Sequence, residues 1–310
     1  MERKTLSQDK FEKASNFVLS SSRALERKIF ESFFNDDDPE NAALELRNYQ
    51  NSDGGFGHGL EPDIRLPLST PITTKTALEH FDLIETGNET ARKVIDGAMD
   101  YLENAFQEES NRWYAASCEV NNYPHAPWWH YDEKVGRTPI DKSWGNPTAE
   151  ILAYGLKYGF SDGFDTEGLT ELALKKILER ENFESEHEIY CYLKLYDELP
   201  ADRAEKIEST LAEAIGTLVE TDPDRWNEYV PTPLDFVKGP DKPKFGISKT
   251  VLEENLNFLV ETLIENEVIE PAWEWGQFNS EWERAKTEWT GVLTLDALIK
   301  LARFERIPGL

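Results

Sequence analysis

The apolar residues of the chain recur at the spacing of an α-helix. In the first fifty residues they lie at steps of three, four and seven: Phe11, Ala14, Val18, Leu25, Ile29 and Phe33. This pattern places them on one face of a helix that is predicted to run from about 8 to 34. The same period returns in 77–84, 149–156 and 207–218. No comparable alternation predicts a strand, so the fold class is predicted to be all-α.

Helix start signals agree with this pattern. Three sites carry residues typical of a helix N-terminus: Thr70 before Pro71, Asn146 before Pro147, and Ser185 with Glu188 as a capping box. Residues 291–302 are apolar on nearly all sides, as expected of a helix buried on every side, whereas 202–219 is charged on its outer face. The sequence therefore predicts two layers of helix.

One short pattern recurs along the chain. It consists of Gln or Glu, three residues, a small or turn-forming residue, one residue and an aromatic: QNSDGGF at 50–56, QEESNRW at 107–113, ETDPDRW at 220–226 and EVIEPAW at 267–273. The gap between the second and third copies is about two units long, which indicates a degenerate repeat there with its helix at 185–199. Each copy is predicted to end one helix, turn, and pack its aromatic beneath the turn.

These copies resemble the QW motif, QxxxGxW, of the terpenoid cyclase and protein prenyltransferase superfamily of α/α toroids. The DGGFG run before the helix Thr73 to Ile84 and the closing TLDALIKL helix resemble that superfamily as well. The resemblance covers about residues 40–305. It implies a single toroid domain over 1–310, a closed barrel of paired inner and outer helices with a central cavity.

The activities best known in that superfamily depend on motifs that this sequence lacks. No DxDD acid motif of the squalene-type cyclases is present. The Asp-x-Cys and distant His that bind zinc in protein prenyltransferases are not recognisable around Cys118 or Cys191. The function is therefore sought in the residues of this chain.

The tryptophans are not spread evenly. All nine lie within or after a copy of the repeated pattern and before the next strong helix, in segments expected to meet at one end of a toroid. Aromatic faces beside carboxylates suit a sugar or a carbocation. The candidate ligand-binding residues are His58, Trp113, His125, Trp128, Trp129, Trp144, Trp226, Trp273 and Trp275.

Candidate acid and base residues are concentrated in two loops. The glycine-rich stretch 53–71 contains Glu61 and Asp63, and the proline-rich loop 123–147 contains His130 and Asp132. The candidate catalytic residues are Glu61, Asp63, Asp132, His130 and Asp235. His125, His130 and Asp132 match no zinc spacing, so ordinary hydrogen-bonded histidines are expected and no metal or cofactor is predicted.

The charge narrows the range of partners. A formal net charge of -27 and a pI near 4.6 disfavour nucleic acid and anionic membrane surfaces. No apolar run long enough for a membrane span is present, and the first residues have no apolar leader, so a cytoplasmic location is expected. Two cysteines without a CxxC agree with a reducing compartment. An acidic toroid of this kind can be monomeric.

Three functions stay open at this stage. The first is binding of a small molecule or oligosaccharide in the cavity, with a glycan hydrolase or lyase as its catalytic form. The second is terpenoid cyclase-like or prenyltransferase-like action on an isoprenoid. The third is a non-catalytic protein-interaction module. The carbohydrate ligand is preferred because aromatic and acidic residues outnumber cations in the loops.

Overall fold

The computed structural model describes residues 2–84 and 87–309. Over these residues the chain forms α-helices, short 3-10 turns and isolated β-bridges without an extended strand, so the all-α prediction is confirmed. The α-helices of the described residues are α1 (Gln8–Ser21), α2 (Ala24–Phe34), α3 (Pro39–Leu46), α4 (Pro71–Phe81), α5 (Glu89–Ala105), α6 (Gly145–Tyr158), α7 (Thr166–Leu178), α8 (Glu186–Glu198), α9 (Ala201–Leu218), α10 (Pro233–Phe236), α11 (Lys249–Asn266) and α12 (Asn279–Arg303).

The helices belong to two compact units. Unit 1 is formed by both ends of the chain, Met1–Ala42 and Leu218–Leu310, and contains α1, α2, α10, α11 and α12. Unit 2 is the middle of the chain, Ala43–Thr217, and contains α4 to α9. The closure of the whole chain into one toroidal domain stays a prediction.

Unit 2 has central and outer helices. Every residue of α6 from Gly145 to Gly155 is buried, and α4 and α8 pack beside it. Helices α5, α7 and α9 alternate with them along the chain and keep an exposed face. This alternation within unit 2 agrees with the predicted two layers, because a helix in the central layer is covered on several sides.

The start signals of the central helices are confirmed in part. Thr70 caps α4, with its Oγ1 accepting from the Thr73 N–H at 3.1 Å, and Ser185 caps α8 in the same way. The predicted return of the Glu188 side chain to the Ser185 N–H is wrong. Glu188 Oε1 instead accepts from the Gly145 N–H at 2.9 Å, because that amide at the start of α6 lacks a partner within its own helix.

The prediction of one helix over 8–34 is also wrong. Helix α1 ends at Ser21 and α2 begins at Ala24, with Ser22 in an extended conformation at φ −78° and ψ 169°. An ideal Cβ on Gly291 of α12 would lie 2.4 Å from Ser22 Oγ, so the chain approaches α12 closely at the break. Serine favours helix ends over interiors, and the break lets both halves pack on α12.

The two ends of the chain are joined within unit 1. The Leu6 N–H donates to the Arg306 carbonyl at 2.8 Å. The buried Arg306 guanidinium donates to the Lys4 carbonyl at 2.8 Å and to Asn257 Oδ1 at 3.0 Å, and it also pairs with Glu253. These bonds hold the first residues against α11 and the end of α12.

The repeated pattern follows directly on helix ends, as predicted. In the second copy the Gln107 amide donates to the Ala105 carbonyl, the last residue of α5, at 3.1 Å. In the third copy the Trp226 indole N–H donates to the Glu220 carbonyl at 2.9 Å, so the first and last residues of the pattern are joined. The first three copies thus tie their own turns together with polar groups and bury their aromatics, Phe56, Trp113 and Trp226, whereas Trp273 of the fourth copy is half-buried.

The first copy packs tightly on α5. The Gln50 amide donates to the Gly54 carbonyl and to the Val94 carbonyl, both at 2.9 Å. Gly54 has φ +89°, and an ideal Cβ there would lie 2.2 Å from the Gly97 carbonyl oxygen. Left-handed backbone conformation and the close approach both require glycine at this position.

We expect Gly54→Ala to lower the free energy of unfolding by about 2–4 kcal/mol, from backbone strain and overpacking together. Urea denaturation measures the change. The control is Gly216→Ala on α9, where nothing lies within 4 Å of the added Cβ, and it is expected to raise stability by up to about 1 kcal/mol. Equal midpoints for the two variants would contradict the proposed contact with Gly97.

Candidate functional site

Two loops that the sequence marks separately lie side by side in unit 2. Ile64 and His125 form an isolated antiparallel bridge. The Arg65 N–H donates to the Pro124 carbonyl at 2.9 Å, and the Ala126 N–H donates to the Asp63 carbonyl at 2.9 Å. The turn that carries Glu61 and Asp63 is therefore fixed against the segment that carries His125, Trp128 and Trp129.

Glu61 and Asp63 form a buried carboxyl pair. Their exposed fractions are 9% and 3%, and the Ile64 N–H closes the turn by donating to the Glu61 carbonyl at 3.0 Å. Burial and the neighbouring Asp63 carboxylate raise the pKa of Glu61 to about 8, while Lys75 opposes the shift. At neutral pH Glu61 therefore holds a proton that it can donate.

The two histidines of the neighbouring segment lie in contact. The Tyr123 carbonyl can only accept, so the His125 Nδ1 that lies 2.6 Å from it carries a proton. His125 Nε2 lies 3.3 Å from Nδ1 of the exposed His130, and the rings stack. Burial lowers the pKa of His125, which keeps its ring neutral at pH 7.

The central helices add a row of polar side chains to unit 2. Each central helix carries a set of three such residues, spaced three, four and seven positions apart and therefore on one helix face. The sets are Lys75, Glu79 and Asp82 on α4 and the residue after it, Glu150, Tyr154 and Lys157 on α6, and Cys191, Lys194 and Glu198 on α8. Glu150 contacts both Lys75 and Cys191 at one end of this face, and Asp82 contacts both Lys157 and Lys194 at the other. The three helices therefore run in the same direction with their polar faces together.

Lys75 lies at one end of this polar face, beside Glu79 and Glu150. Its Nζ lies 2.9 Å from Glu79 Oε1 and 3.5 Å from Glu150 Oε2. Glu150 Oε2 also lies 3.5 Å from the Cys191 thiol. Burial lowers the pKa of Lys75, but the Glu150 and Glu79 carboxylates outweigh it and raise that pKa. Lys75 thus stays charged and is the cation that opposes the proton affinity of Glu61.

Cys191 is not a nucleophile in this arrangement. Burial and the Glu150 carboxylate raise the pKa of its thiol well above the ordinary value. A thiol that stays protonated at neutral pH is inert.

Asp82 is surrounded by Lys157, Lys194 and Tyr154. Its carboxylate lies 2.6 Å from Lys157 Nζ and 3.0 Å from Lys194 Nζ, and it accepts from the Tyr154 hydroxyl at 2.9 Å. Lys194 also lies 3.0 Å from Glu198. The polar face of the central helices is therefore a network of paired charges rather than a set of unmatched ones.

The tryptophan candidates of unit 2 have different surroundings. Trp113 is fully buried and donates its indole N–H to the Leu102 carbonyl at 2.5 Å. Trp144 is half-buried and donates to the Asn111 carbonyl at 3.0 Å. Trp128 and Trp129 form a 3-10 turn with Pro127, directly after the residue bonded to Asp63. Trp128 and Trp129 are included in the proposed site because they follow Ala126, which is bonded to the Asp63 carbonyl, and we leave Trp113 and Trp144 out of it.

His58 and Asp132 lie in exposed turns of unit 2. His58 Nε2 lies 2.9 Å from Asn51 Oδ1. Asp132 Oδ1 accepts from the N–H groups of Lys134 and Val135, at 2.8 and 3.2 Å. These bonds give Asp132 the role of a turn-forming residue.

Four candidates belong to unit 1: Asp235, Trp226, Trp273 and Trp275. Asp235 caps α10, since its Oδ2 accepts from the Thr232 N–H at 2.8 Å, and it also lies 3.3 Å from Lys300. Trp226 and Trp275 are buried, and Trp273 is half-buried with its ring against Tyr229. Unit 1 therefore does not supply a second buried carboxyl pair from these candidates.

Unit 1 has a groove of about 720 Å³. Its charged lining residues are of both signs: Glu2, Arg3, Asp241, Lys249, Glu253, Arg303 and Glu305. None of the candidate residues of the sequence analysis lines it. The mixture of charges gives the groove no cationic surface for a phosphate.

The polar face of the central helices was not predicted from the sequence. The available signal was the charged residues at helical spacing opposite the apolar positions of 77–84. Such a face is ordinarily read as solvated, because a helix with one apolar and one charged face usually lies at a surface.

Comparisons with protein-family models, curated proteins and solved structures found no match to this chain. Among the described residues no three His, Cys, Asp or Glu side chains are grouped to hold a metal ion. No helix within the described ranges combines the length and the apolar character needed to cross a bilayer.

Proposed function

We propose that this protein is an enzyme that uses Glu61 as a general acid on a carbohydrate ligand bound beside the central helices of unit 2. The observation that carries the proposal is the buried Glu61–Asp63 pair, fixed by the Ile64–His125 bridge against the segment with Trp128 and His130. Glycoside cleavage uses a pair of carboxyl groups, one of which donates a proton to the leaving oxygen.

The roles of the two carboxyl groups follow from their surroundings. Glu61 holds its proton at neutral pH because it is buried beside another carboxylate, so it is suited to protonate a leaving oxygen. Asp63 then serves as the charged partner. Its backbone is tied to Ala126, which keeps it in register with the aromatic turn.

A sugar is the ligand class that suits the neighbouring groups. Trp128 is half-buried and His130 is exposed, so both offer ring surface to a ligand. Sugar rings stack on such surfaces through their C–H faces while their hydroxyl groups hydrogen-bond to carboxylates and lysines. The central helices supply both kinds of group.

The test combines binding with turnover. Tryptophan fluorescence is titrated with neutral oligosaccharides, acidic oligosaccharides and isoprenyl diphosphates, and cleavage is followed by the release of reducing ends. We expect a saturable response to oligosaccharides, and Glu61→Gln is expected to keep binding while turnover falls by at least about 100-fold. Asp63→Asn is expected to lose turnover as well.

The matched control is Glu109→Gln, which removes an exposed carboxylate in the same unit and is expected to leave turnover unchanged. Unchanged turnover in Glu61→Gln would contradict the role of Glu61. A response to isoprenyl diphosphates alone would support the isoprenoid function, and silence toward all three ligand classes would favour the interaction module.

A further inference from the structure

Every lysine of the central helices is already paired. Helices α4, α6 and α8 carry one lysine each, Lys75, Lys157 and Lys194, and no arginine. Lys75 pairs with Glu79 and Glu150. The other two share Asp82. The polar face that a ligand of unit 2 would contact therefore offers no uncompensated lysine.

Asp82 compensates two of these lysines at once. It follows the last residue of α4, where its carboxylate reaches Lys157 on α6 and Lys194 on α8. With Glu198 on Lys194, this end of the polar face has two positive and two negative charges. Burial opposes the ionisation of Asp82, but the lysines outweigh it and lower the pKa of Asp82.

We propose that Asp82 is a specificity-determining residue that makes the polar face of unit 2 select uncharged saccharides over acidic ones. The inference rests on the proposed function, since it names the ligand class of the same site. An acidic sugar would have to displace Asp82 from Lys157 and Lys194. It would also bring its carboxylate toward Glu79 and Glu150, and like charges at close range disfavour binding.

An uncharged sugar meets no such cost. Its hydroxyl groups both donate and accept, so they can bond to the lysines and to the carboxylates while the ion pairs stay in place. Glu79 has a side chain that is 43% exposed, so water and ligand hydroxyl groups reach the middle of the polar face. A neutral polyol can therefore bind to the polar face without breaking the lysine–carboxylate ion pairs.

The charge class also limits the reaction. Elimination from a polyuronate needs a cation that neutralises the sugar carboxylate, and the paired lysines do not supply one. Hydrolysis of a neutral glycoside breaks the bond between the anomeric carbon and the leaving oxygen. That oxygen takes the proton of Glu61, the hydroxide of a water adds to the anomeric carbon, and the remaining water proton returns to Glu61.

The experiment compares charge-matched ligands on wild-type protein and on Asp82→Asn. Neutral maltooligosaccharides and cellooligosaccharides and acidic oligogalacturonates are titrated by calorimetry at fixed ionic strength. Wild type is expected to bind a neutral oligosaccharide at least about tenfold more tightly than the galacturonates. Asp82→Asn is expected to gain at least about tenfold in affinity for the galacturonates, and high salt is expected to remove that gain.

Three further variants keep the result interpretable. Asp100→Asn on the exposed face of α5 changes the net charge equally and is expected to give no gain. Adding Lys157→Met to Asp82→Asn is expected to abolish the gain. If circular dichroism shows that Asp82→Asn is unfolded, Glu198→Gln removes one of the two carboxylates paired with Lys194 and leaves Asp82 in place, so it is expected to give a smaller gain of the same kind.

The outcomes separate the inference from the proposed function. Galacturonate binding by wild type as tight as neutral binding would overturn the selectivity while leaving a carbohydrate enzyme in place. A folded Asp82→Asn without any gain would overturn the role of Asp82. Silence of wild type toward both sugar classes would overturn the proposed function and the selectivity with it.

Discussion

Glu61→Gln is expected to raise the free energy of unfolding at about pH 9 by a few kcal/mol and to leave it nearly unchanged at about pH 4. Each unit of difference between the folded and unfolded pKa of a carboxyl corresponds to about 1.4 kcal/mol. Glutamine has nearly the shape of glutamic acid and no charge, so it removes the titration while keeping the packing. Chemical denaturation over this pH range measures the effect.

The sign follows from which state holds the proton. Burial and Asp63 raise the pKa of Glu61 to about 8 in the folded protein, against 4.5 for an ordinary glutamate. Below pH 4.5 both states are protonated and Glu61 adds no pH dependence. Between pH 4.5 and 8 the unfolded chain releases a proton that the folded protein keeps, so stability falls as the pH rises. Above pH 8 the folded protein carries a buried carboxylate at full cost.

Other groups titrate over the same pH range. The quantity to compare is therefore the difference in unfolding free energy between wild type and Glu61→Gln at each pH. Glu109→Gln, at an exposed position, is expected to give a stability curve parallel to that of wild type. Glu61→Gln is expected to diverge from both with a midpoint between pH 4.5 and 8. Parallel curves for all three would show that Glu61 ionises normally and would remove the proton donor from the proposed function.

Lys75→Met is expected to lower the free energy of unfolding by about 3–5 kcal/mol at neutral pH. The variant leaves the Glu150 carboxylate, whose side chain is 8% exposed, without the ammonium that lies 3.5 Å away. Breaking a buried pair by removing one partner has this magnitude, because the other charge stays buried without compensation. Methionine keeps most of the apolar stem, so the packing change is small.

The Lys75→Met Glu150→Gln double variant tests the cause. It removes both charges, and we expect it to recover most of the lost stability. The surface control is Lys93→Met, which breaks the exposed pair of Lys93 with Glu89 and is expected to cost less than about 1 kcal/mol. A double variant that is less stable than Lys75→Met would show that packing, not charge, determines the loss.

The periodicity of apolar residues placed helices correctly within α4, α6, α9 and α12, and Thr70 and Ser185 are confirmed as N-caps, whereas Asn146 does not cap α6. It failed at Ser22, where the apolar face continues without interruption through the break between α1 and α2. The spacing of apolar residues records which side of a segment is covered. It does not show where the chain changes direction when, as for α1 and α2, the helices on both sides of the break pack on the same neighbour, α12.

The candidate site was predicted in part. Glu61 and Asp63 stood out because two acids follow four glycines in one short loop. The Ile64–His125 bridge that joins this loop to the aromatic segment links residues about sixty positions apart, and no local pattern encodes such a contact. The same holds for Asp82, whose two lysines come from helices α6 and α8.

By itself the sequence determined the all-α class, the N-caps Thr70 and Ser185, and turns that follow several helices, because helix period, capping and turn formation depend on neighbouring residues. The tertiary structure alone decided that Lys75 and Glu150 of the charged face of the central helices are largely buried, where they form a paired network beside Glu61. Burial is a property of what packs on the far side of a helix. The element that packs there is distant in the sequence. The fold therefore determines how much free energy it costs to bury a charge on that helix face.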